Sequence, residues 1–126
     1  MKASYSLDFC NVMIYNHCMV VIMDYGILVD EPQLEYFDAL VDTHFRNTDF
    51  GYMTIRVNSY SVNPHVYKTI GKWENLKCFA IVDLEAKAEK TFPVESAFFK
   101  GPMHLFQDLK KAYKWVLELT DPAKTV

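Results

Sequence analysis

The chain has 126 residues, the size of one domain, and we treat residues 1–126 as a single domain. Hydrophobic residues make up 51% and charged residues 23%, which is typical of a folded globular protein and not of a disordered one. The net charge of −3 argues against nonspecific nucleic-acid binding, because that activity needs a basic face. The longest apolar run near the N-terminus, Met19 to Met23, is too short for a membrane span or a signal peptide, so we expect a cytoplasmic protein.

The first predicted element is a β-hairpin. Two apolar segments, SLDFCNVMIY and CMVVIMD, flank an Asn-His dipeptide that serves as the turn. This register puts Ile14 opposite Met19 and makes one face of the hairpin entirely apolar. The other face carries both polar and apolar residues, so a homodimer that forms through this edge is an alternative to a monomer. Cys10 and Cys18 fall on opposite faces, so we expect buried free thiols and no disulfide between them.

The second predicted element is the helix DEPQLEYFDALVDTHFR. Asp30 is a suitable N-cap, and Gln33 stands where a capping box requires Glu or Gln. His44, near the end of this helix, is interpreted as a C-terminal dipole partner or a packed edge residue instead of a ligand. Apolar residues recur at helical spacing and form the expected buried stripe: Leu34, Phe37, Leu40, Val41 and Phe45.

The rest of the chain alternates between strands and helices. GYMTIRV and KCFAIVD are predicted strands, and PHVYKTIGKW between them is a predicted helix with Asn63 as N-cap and Pro64 as its first residue. LEAKAEKTF is a short helix that Pro93 ends or kinks, PMHLF is a strand, and QDLKKAYKWVLELT is a closing helix that begins near Asp108. We therefore predict an α/β fold in the order ββαβαβα. It is a small two-layer sandwich with a mixed sheet and helices packed mainly on one face.

The segment RVNSYSVNPHVY, between a predicted strand and a predicted helix, is the first candidate site. Parallel sheets bind ligands at the carboxyl ends of their strands, and a helix N-terminus offers free N–H groups to an anion. The structural alternative is that Asn63 caps the helix, the serines satisfy loop amides, and Arg56 pairs with a nearby carboxylate. The candidate residues for binding a ligand or partner are Arg56, Asn58, Ser59, Tyr60, Ser61, Asn63 and His65.

The segment AFFKGPMHLF is the second candidate. Its large apolar side chains either line an apolar ligand pocket or belong to the core, to a lid over the sheet, or to a partner surface. The residues of this candidate pocket are Phe98, Phe99, Met103 and Phe106.

Motifs of catalysis are absent from the sequence. It has no GxSxG nucleophile elbow, no HxxxH or Cys/His metal spacing, and no phosphate-binding glycine pattern. We therefore predict a protein that is not an enzyme and uses no metal or cofactor.

The NSYSVNP segment after the third strand, the AFFKGPMHLF segment and the amphipathic final helix together resemble a known family. The pattern is similar to the SpoIIAA-like group of small bacterial proteins with the STAS fold, and in shape to lipid-binding proteins of the Sec14 type. The resemblance covers nearly the whole chain. It implies a four- or five-stranded sheet with helices mostly on one side, and a binding or regulatory role instead of catalysis.

Anti-sigma-factor antagonists of this fold carry a phosphorylated serine in an Asp-Ser-Ser-Gly-like turn. The matching connection here has Ser59 and Ser61 in about the right place, but it lacks the Asp and the Gly. We expect a non-enzymatic STAS-like domain that acts through a protein partner, with the connection from Ser59 to His65 in its contact surface. The alternative is a small lipid or anionic ligand held between the sheet and FPVESAFFKGP. A third hypothesis is that the protein is an enzyme that uses Ser59 or Ser61 together with His65.

Overall fold

The computed structural model describes residues 1–58, 60–85 and 92–123 of the chain. Within these residues the chain forms eight strands and four helices. The strands are β1 (Ala3–Ser6), β2 (Cys10–Tyr15), β3 (Cys18–Met23), β4 (Leu28–Val29), β5 (Phe50–Ile55), β6 (Ser61–Val62), β7 (Leu76–Val82) and β8 (Met103–Phe106). The helices are α1 (Glu31–Phe45), α2 (Val66–Ile70), α3 (Phe92–Phe98) and α4 (Leu109–Thr120).

Six of the strands form one mixed sheet in the order β1-β2-β3-β5-β7-β8. The first three are antiparallel neighbours, whereas β3, β5, β7 and β8 run parallel to one another. The short strands β4 and β6 form a separate parallel pair. The predicted α/β class, with an N-terminal hairpin followed by parallel strands that alternate with helices, is therefore confirmed.

The hairpin of β2 and β3 has the register that the sequence predicts. Ile14 pairs with Met19 and Cys10 pairs with Met23 across the ladder. The predicted apolar face of the hairpin is buried in the structure. All three cysteines are free and buried, and Cys18 lies on the opposite face from Cys10.

The strand β1 was not predicted, because a segment of four residues that includes two exposed serines carries little hydrophobic signal. It pairs with β2 and brings the main sheet to six strands, where the resemblance implies four or five. The hydroxyl group of its Tyr5 lies 2.7 Å from Nε2 of His44. His44 is therefore a packed edge residue, as one of the two sequence interpretations has it.

The two faces of the main sheet carry separate hydrophobic cores. The front core, which includes Tyr52 and Phe79, packs against α1, α2 and α3. The back core, which includes Met53, packs against Val116 of α4. The two-layer prediction is therefore incomplete, since α4 adds a third layer over part of the back face. The physical reason is that β7 is apolar on both sides, so both of its sides must be covered.

The helix α1 begins as predicted. Asp30 accepts a hydrogen bond from the backbone N–H of Glu31 at 2.8 Å, and its own N–H donates to the Gln33 side chain at 2.8 Å, within a complete capping box. The Asp30 carboxylate also accepts a hydrogen bond from Nδ2 of Asn63 at 3.1 Å. In the predicted stripe, Leu34, Phe37 and Phe45 are buried, and Leu40 and Val41 are half-buried.

Replacing Asp30 with alanine is expected to lower the free energy of unfolding by about 1 kcal/mol, because the first turn of α1 loses its side-chain acceptor. Urea denaturation followed by circular dichroism measures the change. Glu35→Ala is the matched control, since Glu35 is an exposed carboxylate of the same helix. Equal destabilisation by the two substitutions would contradict the capping role of Asp30.

The helix α2 is shorter than predicted. It begins at Val66 and not at Pro64, and Asn63 precedes it in a turn in which its Oδ1 accepts a hydrogen bond from the backbone N–H of His65 at 3.1 Å. The backbone N–H of Asn63 donates to the carbonyl oxygen of Val29 at 2.9 Å. This bond continues the pairing of β4 with β6 and holds Asn63 outside the helix.

The last two helices also differ from the prediction in detail. Pro93 lies in the first turn of α3, where proline is tolerated, while most of the predicted LEAKAEKTF helix lies outside the described residues. Asp108 caps α4 as predicted. The sequence also predicts that Leu109, Ala112 and Val116 belong to the apolar stripe of this helix, and Ala112 and Val116 are buried, but Leu109 is 47% exposed. Among the described residues, no helix is long and apolar enough to cross a membrane.

Candidate functional site

The segment that follows β5 lies at the carboxyl edge of the parallel strands, as the sequence predicts for RVNSYSVNPHVY. The backbone N–H of Arg56 donates to the carbonyl oxygen of Val82 at 2.8 Å, at the end of β7. The side-chain Nδ2 of Asn58 donates to the carbonyl oxygen of Met23 at 3.0 Å, at the end of β3. The segment is thus attached to the ends of both strands that flank β5.

Arg56 turns inward and forms a buried ion pair. Its guanidinium donates through Nη1 to Oε2 of Glu95 at 3.2 Å and through Nη2 to Oε1 of the same carboxylate. The exposed fractions of the two side chains are only 15% and 11%. The structural alternative proposed from the sequence, that Arg56 pairs with a carboxylate, is therefore what the structure shows.

Three hydroxyl groups complete the network around this ion pair. Arg56 donates to the Tyr60 hydroxyl from Nε at 3.2 Å and to the Tyr67 hydroxyl from Nη2 at 3.3 Å. The Tyr67 hydroxyl donates to Oε1 of Glu95 at 2.9 Å, and the Tyr60 hydroxyl lies 3.1 Å from Oγ1 of Thr54. Burial, and then the negative charge of Glu95, raise the pKa of Tyr67, so its hydroxyl group keeps its proton at neutral pH.

Sequence analysis missed Glu95, although it is a central residue of this network. Its partner Arg56 lies 39 positions away in the chain, and no local pattern joins the two. The available signal was a single carboxylate within FPVESAFFK, a segment whose other residues are mostly apolar or small. A carboxylate in such a segment is either exposed or paired, and the sequence alone does not distinguish these two states.

A pocket lies beside this network, between the front face of the sheet, the β4–β6 pair, and the helices α1 and α2. Its enclosed volume is only about 20 Å³, which is room for about one water molecule. We call it the front pocket. It is lined by Met23, Val29, Leu34, Tyr52, Thr54, Arg56, Tyr60, Val62, Val66, Tyr67, Ile70 and Phe79.

The remaining residues of the first candidate site have different surroundings. Asn58 and Asn63 have structural roles, because their side chains donate hydrogen bonds that join this segment to β3 and to the N-cap of α1. Ser61 is exposed in β6, and His65 is exposed with its ring edge-on to Phe98 at 5.6 Å between centroids. Within the described residues no hydrogen bond links Ser61 to His65, and Ser59 lies outside those residues.

The four residues of the second candidate site do not line one pocket. Phe99 and Met103 join the front core, whereas Phe106 packs on the back face with its ring 5.4 Å from that of Trp115. Met103 and Phe106 are three positions apart in a strand, and side chains at odd spacing point to opposite faces. Phe98 is half-buried beside His65 at the edge of the front core.

The carboxyl edge of the sheet also carries a row of exposed apolar side chains that sequence analysis missed. Tyr25, Val57 and Leu84 are each the second residue after the end of a strand, namely β3, β5 and β7. Their exposed fractions are 79%, 57% and 58%. Because the three strands are adjacent and parallel, these side chains follow neighbouring strand ends. We call them the carboxyl rim.

The described residues hold no group of three or more His, Cys, Asp or Glu side chains arranged to bind a metal ion. Burial raises the pKa of Cys78 to about 12, and burial and the charge of Asp24 raise that of Cys10 to about 12. Both are therefore protonated thiols at neutral pH. Comparisons of the chain with models of protein families, with curated proteins and with solved structures found no significant match.

Proposed function

We propose that this chain is a non-enzymatic binding or regulatory domain that acts through a protein partner, and that the partner docks on the carboxyl rim. The main support for this proposal is the exposure of three apolar side chains, each of which follows one of three adjacent strands: Tyr25, Val57 and Leu84. Isolated apolar side chains are common on protein surfaces, but contiguous exposed ones with a polar border tend to mark interfaces. The exposed side chains of Ser61 and His65, from the connection expected to contact the partner, supply polar groups at the same end of the sheet.

The resemblance of the NSYSVNP connection to STAS-fold proteins supports the same proposal, since it implies partner binding through this connection. A rigid base for such a surface is present, because the buried Arg56–Glu95 pair and Asn58 hold the segment against the sheet. An anionic ligand or lipid headgroup at Arg56 has weaker support. The positive charge of Arg56 is already neutralised by Glu95, so an anion would have to displace a bound carboxylate.

The test compares two double variants that make the same chemical change on different surfaces. Val57→Ser with Leu84→Ser alters the carboxyl rim, and Leu109→Ser with Leu119→Ser removes exposed apolar side chains from α4. Tagged wild type and both variants are cross-linked in cells, and the captured proteins are quantified by mass spectrometry. We expect a partner whose capture falls about 10-fold in the rim variant and is unchanged in the α4 variant.

A direct binding measurement follows with the purified partner and the single variant Tyr25→Ala. Tyrosine is enriched among residues that dominate binding energy, so we expect Tyr25→Ala to weaken the Kd by about 10-fold or more in calorimetry. Circular dichroism establishes that each variant keeps the native fold. Undiminished capture by the folded rim variant, or equal losses in both double variants, would refute docking at the carboxyl rim.

A further inference from the structure

The strand β1 forms one edge of the main sheet, and one side of its backbone is unpaired. Among the described residues, β1 pairs with β2 and with no other strand. Directly after the strand, the backbone N–H of Leu7 donates to the carbonyl oxygen of Cys10 at 2.8 Å. Backbone bonds alternate along an antiparallel pair, so Tyr5 bonds to β2, whereas the N–H and C=O groups of Ser4 and Ser6 point away from it.

The side chains of this edge do not prevent a further strand from pairing with it. Ser4 and Ser6 are exposed and small, and no residue of β1 carries a charge. Monomeric proteins usually protect an edge strand with a lysine or proline within it, or with a segment that covers it. Residues 3–6 include neither residue type, and in the described part of the chain no other segment bonds to the outward groups of Ser4 and Ser6.

We propose that two copies of this chain form a dimer through antiparallel pairing of their β1 strands, with Tyr5 of one copy opposite Tyr5 of the partner subunit. This register places Ser4 of each copy opposite Ser6 of the partner subunit. Since both serines have outward N–H and C=O groups, each such pair exchanges two hydrogen bonds. The arrangement is two-fold symmetric, as most homodimers are, and it joins the two main sheets into one continuous sheet. This inference is independent of partner docking at the carboxyl rim, because the rim follows β3, β5 and β7.

The residues around β1 favour a second copy of this chain as the occupant of the edge. Lys2 precedes the strand and Asp8 follows it, and both are exposed. In the proposed register the cationic end of each strand lies beside the acidic end of the other, so the two copies attract each other at both ends. A parallel arrangement would bring like charges together instead. The half-buried Tyr5 occupies a position without backbone bonds between the copies, where side chains lie closest and aromatic pairs stabilise the ladder.

Exposed apolar side chains at both ends of β1 enlarge this interface. Met1, before the strand, is 73% exposed. Tyr36 is 55% exposed, and its ring lies 5.6 Å from that of Phe9, which follows the strand. The two-fold register brings Met1 of one copy close to Phe9 and Tyr36 of the partner subunit. Burial of these side chains adds a hydrophobic contribution to backbone bonds whose net stabilisation is modest.

The test compares two double variants that place charges at the same two positions. Ser4→Lys with Ser6→Lys puts like charges opposite each other in both pairs, whereas Ser4→Lys with Ser6→Glu puts opposite charges there. Sedimentation equilibrium of the full chain between about 1 µM and 1 mM gives the dimer Kd of the wild type and of each variant. We expect the Kd of the first variant to rise at least about 10-fold, and that of the second to stay within about 3-fold of the wild type. The first variant also brings the net charge of −3 closer to zero, so overall repulsion does not explain weaker association.

Amide hydrogen exchange followed by NMR tests the proposed backbone bonds one residue at a time. In the monomer the N–H groups of Ser4 and Ser6 face solvent and exchange fast, and raising the concentration past the Kd should slow their exchange at least about 10-fold. The N–H of Tyr5 is bonded to β2 and should stay protected at every concentration, so it is the internal control. Protection of Tyr5 also establishes that each double variant keeps the β1–β2 ladder.

Three results would overturn this proposal. They are a wild type that stays monomeric up to about 1 mM, equal Kd values for the two double variants, and a dimer in which Ser4 and Ser6 exchange as fast as in the monomer. The last result would place the dimer interface on another surface, such as the opposite edge of the sheet at β8.

Discussion

Replacing Glu95 with alanine is expected to destabilise the protein by about 3–5 kcal/mol, because it leaves the buried charge of Arg56 without its partner. The Arg56 side chain is only 15% exposed, so water does not replace the lost carboxylate efficiently. Burial is the largest single influence and lowers the pKa of Arg56, but the surrounding groups, led by the hydrogen bonds that Arg56 donates to Glu95, together raise this pKa above its usual value. The Tyr67 hydroxyl also loses the carboxylate to which it donates. Urea denaturation of the wild type and the variant measures the difference.

A double-mutant cycle separates the loss of the pair from the loss of either partner. Arg56→Met with Glu95→Leu replaces the whole ion pair by apolar side chains, and we expect this double variant to be far less destabilised than Glu95→Ala. As a matched control, Asp42→Ala removes the carboxylate of the exposed Asp42–Arg46 pair on α1 and should change the stability very little, because solvent screens exposed ion pairs. A cost for Glu95→Ala as small as that for Asp42→Ala would show that the buried pair does not support the fold.

Replacing Gly51 with alanine is expected to destabilise the protein by about 1–3 kcal/mol through overpacking between the sheet and α4. A Cβ atom at this position would lie 2.6 Å from Cγ1 of Val116 and 2.8 Å from Sγ of Cys78. Both distances are shorter than any normal contact, and both neighbours are fully buried. Thermal unfolding by calorimetry gives the change in Tm and in the free energy of unfolding.

Val116→Ala should partly rescue Gly51→Ala, because it removes the atom that the new methyl group would strike. Gly26→Ala is the control. Gly26 has a φ of 78°, and a Cβ added there would meet no atom within 4 Å, so alanine strains only the backbone. Val116→Ala should give no rescue in that background. Equal effects of Val116→Ala in the two glycine variants would rule out the proposed steric contact.

The parts of the fold that the sequence predicts correctly are those encoded by neighbouring residues. The register of the β2–β3 hairpin follows from alternation around a two-residue turn, and the start of α1 follows from Asp30 and Gln33. The parts that were missed depend on the chain meeting itself at a distance. The pairing of Arg56 with Glu95 joins the segment after β5 to α3, and no periodicity of either segment specifies it.

The candidate site shows the same division between local and distant information. The sequence places RVNSYSVNPHVY correctly at the end of a parallel strand, because strand and helix signals on its two sides are strong. The carboxyl rim becomes visible only when three strand ends are aligned, which brings Tyr25 and Leu84 to either side of Val57.

The separate pairing of β4 with β6 has a consequence for the local stability of the chain. Two residues on each strand join Leu28–Val29 to Ser61–Val62, extended by the bond from Ser61 N–H to the Ile27 carbonyl oxygen at 2.9 Å. Releasing this small ladder leaves the six-stranded sheet intact, so it costs only part of the free energy of global unfolding. The backbone N–H groups of Ser61 and Asn63, which form the bonds of this ladder, are therefore expected to exchange with solvent faster than those in the middle of β5.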